Sequence, residues 1–145
     1  MKENCTILWA EDDQDDIDLI LEAAKDLRVD HLIDFVRNGE EVLNKLFRSS
    51  VNKTLPQLIV LDNNMPVMSG AEALNRIVKH DQLKTIPIAF FTTGKIGSEL
   101  HRIHHHAQVF LKPSSYSSFL ETIKDILELC EQPSGQSSFY TSDAE

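Results

Sequence analysis

Two groups of acidic residues follow short apolar stretches and could do metal chemistry. Asp62 comes directly after Leu58–Leu61, and the acidic run Glu11–Asp13 follows the apolar run Ile7–Ala10. If both apolar runs are parallel strands of one sheet, their carboxyl ends meet at the edge where open α/β sheets bind ligands. Carboxylates held that close repel one another unless a cation lies among them, and oxygen ligands suit Mg²⁺. The pattern therefore predicts a divalent metal site, with Mg²⁺ as the expected ion.

The rest of the chain supplies the alternating elements that would position these carboxylates. Because strand and helix alternate strictly, the sequence predicts an α/β fold with a parallel sheet covered on both faces. Asp34 interrupts the second apolar run, which indicates an edge strand. The apolar runs predict strands at 6–10, 32–36, 58–61, 88–91 and 109–111. Helical spacing of apolar residues predicts five helices, at 17–27, 42–47, 71–78, 98–106 and 119–130.

Composition sets the class of protein and excludes several functions. The chain has 145 residues and a net charge of −9, which argues against nucleic acid as a partner. No apolar run reaches the roughly 18 residues of a membrane span, and no signal-peptide pattern is present, so we expect a cytoplasmic protein. Cys5 and Cys130 are expected to be thiols and not a disulfide. We expect one domain at 1–131 and a flexible Ser-rich tail at 132–145.

Four polar features carry a family resemblance. Each is expected at the carboxyl end of its own strand: the pair Glu11-Asp12, the segment Asp62–Gly70, Thr92, and the pair Lys112-Pro113. In this order they resemble the receiver domain of bacterial two-component response regulators, over about residues 4–131. The acidic opening is similar to that of the single-domain regulators that accompany phytochrome-type kinases. The resemblance implies a flavodoxin-like, doubly wound sheet with strand order 2-1-3-4-5 and five helices.

The resemblance also implies a role for each residue of the site. Asp62 would take a phosphoryl group from a phosphohistidine on a sensor histidine kinase or phosphotransfer protein. Thr92 would donate a hydrogen bond to that phosphoryl group, and Lys112 would pair first with Asp62 and then with the phosphoryl oxygen. Such a protein catalyses only its own phosphorylation and dephosphorylation and is not otherwise an enzyme.

A metal-ligand set follows from the same resemblance. Mg²⁺ would be bound by Asp12, by Asp62 and by the backbone carbonyl of Asn64, with Glu11 acting mostly through water. The remaining acids, Asp13, Asp15 and Asp16, lie where a helix is expected to begin. Because carboxylates favour the helix dipole at that end, we assign these three mainly structural roles.

The output of such a protein would be contact with other proteins. The sequence shows no DNA-binding module, so the readout is expected to be a protein partner of unknown identity, a homodimer or a phosphate relay. The peptide before Pro113 is cis in the family. Val109 occupies the position where the family often has Tyr or Phe, and Phe110 should point to the opposite sheet face.

Three alternatives stay open. An aspartate-nucleophile phosphatase would need a second acid at the position of Asn64, where an amide cannot shuttle a proton. A degenerate receiver would act only as a binding module. The cluster His101, His104 and His105 has spacing that would suit Zn²⁺, although exposed imidazoles that offset a helix dipole, or a pH-sensitive surface, explain it as well.

Overall fold

The computed structural model describes residues 5–93 and 105–130. Its centre is one five-stranded parallel sheet in the order β2-β1-β3-β4-β5, as the resemblance implied. The strands are β1 (Thr6–Ala10), β2 (Leu32–Val36), β3 (Leu58–Leu61), β4 (Ile88–Thr92) and β5 (Gln108–Leu111). This confirms the flavodoxin-like fold class.

Helices cover both faces of the sheet. They are α1 (Gln14–Asp26), α2 (Gly39–Asn52), α3 (Gly70–Ile77) and α4 (Tyr116–Cys130). The apolar sides of α2 and α3 form one core with the sheet, and those of α1 and α4 form a second core on the other face. The described part of the chain thus contains four helices where five were predicted, because the predicted helix at 98–106 lies mostly outside the described residues.

Burial across the sheet follows the sequence pattern. Every residue of the central strand β3 is fully buried, as its continuous apolar run predicts. β2 is an edge strand in which Asp34 is exposed and pairs with Lys45 of α2 at 2.8 Å, which confirms the expectation drawn from Asp34. Trp9 of β1 is fully buried beside the rings of Phe35 and Phe91.

Side chains cap the starts of α1 and α3. Asp13 caps α1, and its carboxylate accepts from the backbone N–H groups of Asp15 and Asp16. Ser69 and Glu72 form a reciprocal capping box at the start of α3, as their spacing predicts. Both helices therefore begin with their amide dipoles directed toward the carboxyl edge of the sheet.

The two ends of the described chain meet beside the second core. The Cys5 thiol donates to the Cys130 backbone carbonyl at 2.6 Å, so the start of β1 contacts the end of α4. Both cysteines are thiols, as expected. The predicted tail at 132–145 lies outside the described residues, so the domain boundary stays a prediction. Within the described ranges, no helix has the length and apolar content needed to cross a bilayer.

Candidate functional site

The polar residues predicted to form a site follow different strands of the sheet. Glu11 follows β1, Asp62 follows β3, Thr92 ends β4 and Lys112 follows β5. Because the strands are parallel, their carboxyl ends lie along one edge, and the structure brings these four side chains together there. Main-chain hydrogen bonds between neighbouring strands continue to this edge, from Asp62 N to the Ala10 carbonyl at 3.1 Å and from Lys112 N to the Thr92 carbonyl at 2.8 Å.

Both carboxylate oxygens of Asp62 accept hydrogen bonds. Oδ1 accepts from the Thr92 hydroxyl at 2.7 Å and from the backbone N–H of Asn64 at 3.1 Å. Oδ2 accepts from Lys112 Nζ at 2.9 Å. Asp62 is only 4% exposed, so these donors take the place of water around the charge. The carboxylate is therefore held in one orientation.

Lys112 is surrounded by carboxylates. Its Nζ lies 2.8 Å from Glu11 Oε1, 2.8 Å from Asp16 Oδ2 and 2.9 Å from Asp62 Oδ2. Burial by itself lowers the pKa of this ammonium, but the hydrogen bonds from Asp16, Glu11 and Asp62 outweigh it and hold the pKa above its ordinary value. Lys112 is therefore a fixed positive charge at the site.

The contact from Asp16 corrects the sequence-based assignment. The position of Asp16 at the start of α1 predicts a mainly structural role, because the helix dipole is a sufficient reason for an acid there. In the structure, however, its carboxylate contacts the site lysine directly. The missed signal is positional: α1 begins at the carboxyl edge of the sheet, so side chains of its first turn border the site. For Asp13, in contrast, the capping contacts support the structural role.

Three carboxylates form a group that fits a divalent cation. Oxygen atoms of Glu11, Asp12 and Asp62 all lie within 4.8 Å of one another. Glu11 is fully buried, and this burial raises its pKa to about 7, with the charge of Asp62 adding to the rise and the hydrogen bond from Lys112 opposing it. A cation bound here would favour ionisation of the buried carboxylate and reduce its repulsion with the two other acids. Asp12 is exposed, which leaves this side of the group open to solvent.

Comparison with known proteins decides the family. A model of the response regulator receiver domain matches residues 7–124. The chain belongs to this family. Among structures, the receiver domain resembles a phosphorylated cyanobacterial phytochrome response regulator, RcpA, with 28% identity and a TM-score of 0.75 over 99% of this chain and 98% of the other. The bacteriophytochrome response regulator AtBRR has 26% identity and a TM-score of 0.67 over 86% and 93% of the two chains.

Two curated relatives also match the chain. The probable methanogenesis regulatory protein FilR2 of Methanothrix harundinacea is 29% identical over 84% of this chain and 81% of its own length. Response regulator Rcp1 of Synechocystis sp. is 35% identical over 61% of each chain. The match therefore spans less than two thirds of Rcp1.

The loop after Asp62 is shaped by close backbone contacts in this receiver domain. The Asn63 side-chain oxygen accepts from Ala71 N–H at 2.9 Å, which joins the loop to the start of α3. At Gly70, a Cβ would lie 2.5 Å from the Asp62 carbonyl oxygen, so only glycine fits there. The exposed Asn64 side chain donates to the Thr93 hydroxyl at 3.0 Å. The role predicted for the Asn64 carbonyl stays a prediction.

Of the remaining predictions, one is confirmed, one is wrong and one lies mostly outside the described residues. Val109 packs against the core under α2 and α3, whereas Phe110 packs against the opposite core, as the strand alternation predicted. The expectation of a cis bond before Pro113 is wrong for this structure, since the peptide bonds of the described residues are all trans. Of the predicted histidine cluster, His101 and His104 lie outside the described residues.

Proposed function

We propose that Asp62 accepts a phosphoryl group from a phosphohistidine on a sensor histidine kinase or phosphotransfer protein. The observation that carries this proposal is the environment of its carboxylate, with Thr92 on one oxygen and Lys112 on the other. A carboxylate is a competent nucleophile toward phosphorus when the developing charge is balanced by nearby cations and donors. Thr92 and Lys112 lie where they could donate to oxygens of the phosphoryl group.

The reaction is proposed to require Mg²⁺. Glu11, Asp12 and Asp62 would hold the ion, with the Asn64 carbonyl as a further ligand, and the ion would neutralise charge on the transferring group. The structure of a Mn²⁺-bound form of Rcp1 supports a divalent cation in this fold. Oxygen-only donors and the openness at Asp12 favour Mg²⁺, which keeps several waters when bound.

The phosphorylated protein is proposed to signal by contact with other proteins in the cytoplasm. The resemblance to RcpA, whose structure is that of a phosphorylated phytochrome response regulator, supports a signalling role. We propose no external substrate, because Asn64 stands where an aspartate-nucleophile phosphatase would need an acid. The proteins contacted would be an unidentified downstream partner or a second copy of this chain.

A labelling experiment tests the proposal. Purified protein is incubated with radiolabelled acetyl phosphate, with and without Mg²⁺, and acid-stable and alkali-labile label is measured. Asp62→Asn should abolish the label, whereas Asp81→Asn should not, because Asp81 is a surface residue whose side chain is 94% exposed. Equal labelling of Asp62→Asn and the wild type would refute the assignment. Absence of label in the wild type together with absence of Mg²⁺ binding would favour a receiver used only as a binding module.

A further inference from the structure

All three donors of the Lys112 ammonium are engaged in the structure. Each of the three contacts, with Glu11, Asp16 and Asp62, is between 2.8 and 2.9 Å long. An ammonium group has three N–H donors and no acceptor. If a phosphoryl oxygen on Asp62 accepts a hydrogen bond from Lys112, it therefore competes with the carboxylates that already accept from the same ammonium group.

The three carboxylates differ in how readily they can give up the lysine. Glu11 is fully buried, so water could not replace Lys112 as a hydrogen-bond donor to its carboxylate. Asp62 would carry the phosphoryl group itself, so Lys112 stays beside it after the transfer. The Asp16 side chain is 26% exposed, and its carboxylate lies outside the group that fits a cation. Water can replace Lys112 at Asp16 at lower cost than at Glu11.

We propose that Asp16 is a positioning residue that holds Lys112 toward helix α1 before phosphorylation and opposes its transfer to the phosphoryl group. This inference rests on the proposed function of Asp62 and deepens it. The Asp16–Lys112 contact is stronger before phosphorylation than after it. A contact that favours one state shifts the equilibrium toward that state, so Asp16 disfavours the phosphorylated form. Its negative charge also repels the incoming phosphoryl oxygens.

Lys112 does not need Asp16 in order to stay in place. Its backbone N–H donates to the Thr92 carbonyl at 2.8 Å, and its Nζ lies 5.8 Å from the centre of the Phe91 ring. Glu11 still accepts from Nζ on the buried side. Removal of the Asp16 carboxylate therefore frees one donor of an ordered lysine and does not release the whole side chain. The expected consequence is a gain in affinity for a phosphoryl group, not a loss.

Asp15 offers a matched control. Both acids lie in the first turn of α1, so replacing either by asparagine removes the same charge from the same helix end. Asp15 is exposed, and among the described residues it is not one of the carboxylates that contact Lys112. A difference between Asp16→Asn and Asp15→Asn thus isolates the contact with Lys112 from helix-dipole and long-range charge effects.

The first measurement is the affinity for beryllofluoride, a tetrahedral phosphoryl analogue, titrated calorimetrically with saturating Mg²⁺. Asp16→Asn should bind it about two- to fivefold more tightly than the wild type, the range expected for loss of a partly exposed ion pair. Asp15→Asn should change the affinity by less than about twofold. Asp16→Glu keeps the charge and should stay close to the wild type. Thermal unfolding verifies the fold of each variant, and Asp16→Ser replaces Asp16→Asn if the latter is unstable.

The second measurement reports on the lysine directly. In protein labelled with ¹⁵N-lysine, the Lys112 Nζ resonance is assigned by its loss in Lys112→Met. Before any ligand is added, this resonance should already be shifted toward its beryllofluoride-bound position in Asp16→Asn, but not in Asp15→Asn. A purely structural role of Asp16 would not move the resonance in that direction.

The outcomes separate the inference from the proposed function. If the wild type binds beryllofluoride but Asp16→Asn binds it no more tightly than Asp15→Asn, the inference is wrong and the function of Asp62 stands. An unshifted Lys112 resonance in Asp16→Asn would overturn the inference as well. If the wild type with Mg²⁺ binds no beryllofluoride at all, the proposed function fails, and the inference that rests on it fails too.

Discussion

Replacement of Lys112 by methionine should destabilise the metal-free protein. The substitution keeps the aliphatic stem but leaves the carboxylates of Glu11, Asp16 and Asp62 without their shared cation. Removing one partner of a buried ion pair costs about 3–5 kcal/mol. Because the Asp16 side chain is 26% exposed and can regain water, we place the loss near the lower end, at about 3 kcal/mol at pH 8.

The loss should depend on pH, and its sign follows from Glu11. Burial raises the pKa of Glu11 to about 7 even though the hydrogen bond from Lys112 lowers it, so removal of Lys112 should raise this pKa further. An acid with a raised pKa in the folded state stabilises the fold when protonated, and that stability is lost as pH rises through the folded pKa. The deficit of Lys112→Met should therefore be largest above pH 7 and should shrink toward pH 5.

Urea unfolding in EDTA at pH 8 and pH 5.5 measures this difference. Lys84→Met is the matched control, since Lys84 pairs with Asp81 at 3.2 Å and the two side chains are 52% and 94% exposed. An exposed pair contributes little, so the control should change the free energy of unfolding by less than about 0.5 kcal/mol at either pH. The reasoning would be refuted by an equal loss for Lys112→Met at both pH values, which would point to packing and not to charge.

Two further substitutions test the site from its backbone and its buried acid. Gly70→Ala should lower the free energy of unfolding by about 1–3 kcal/mol, because the new Cβ would lie 2.5 Å from the Asp62 carbonyl oxygen. A backbone atom cannot move away as easily as the end of a side chain can. Helix propensity alone would predict a gain in stability, and such a gain would contradict this reasoning. In the metal-free wild type, the raised pKa of Glu11, about 7, should lower the free energy of unfolding by at most about 3 kcal/mol between pH 4.5 and pH 7. Glu11→Gln should remove this fall, because glutamine does not ionise. Denaturant unfolding of the wild type and Glu11→Gln in EDTA measures this fall. If the free energy of unfolding of the two proteins changed in parallel with pH, Glu11 would ionise as an ordinary surface acid and the prediction would be wrong.

The strands, and the central or edge position of some of them, could be predicted because they depend on local patterns. The run Leu58–Leu61 is apolar at every position, and a strand with that pattern has to be buried on both faces. Asp34 interrupts the second run, and that strand lies at an edge. Once the sheet is parallel, the residue after each strand must lie on one edge. The family resemblance implied that β1 and β3 are neighbours, which brings Glu11 to Asp62, and the structure shows this pairing.

The family resemblance implied that Lys112 pairs with Asp62, but its contacts with Glu11 and Asp16 were decided by the tertiary structure. Asp16 and Lys112 are 96 positions apart, and Asp16 has an adequate local explanation as a helix-start acid. Their contact depends on how the first turn of α1 lies against the loop after β5, which no spacing along the chain encodes. The amino-acid sequence by itself thus determined the elements and the edge at which the polar groups collect, because burial and periodicity act over a few residues. Only the packed structure decided which acids besides Asp62 share Lys112, because a hydrogen bond of 2.8 Å depends on the relative placement of whole elements.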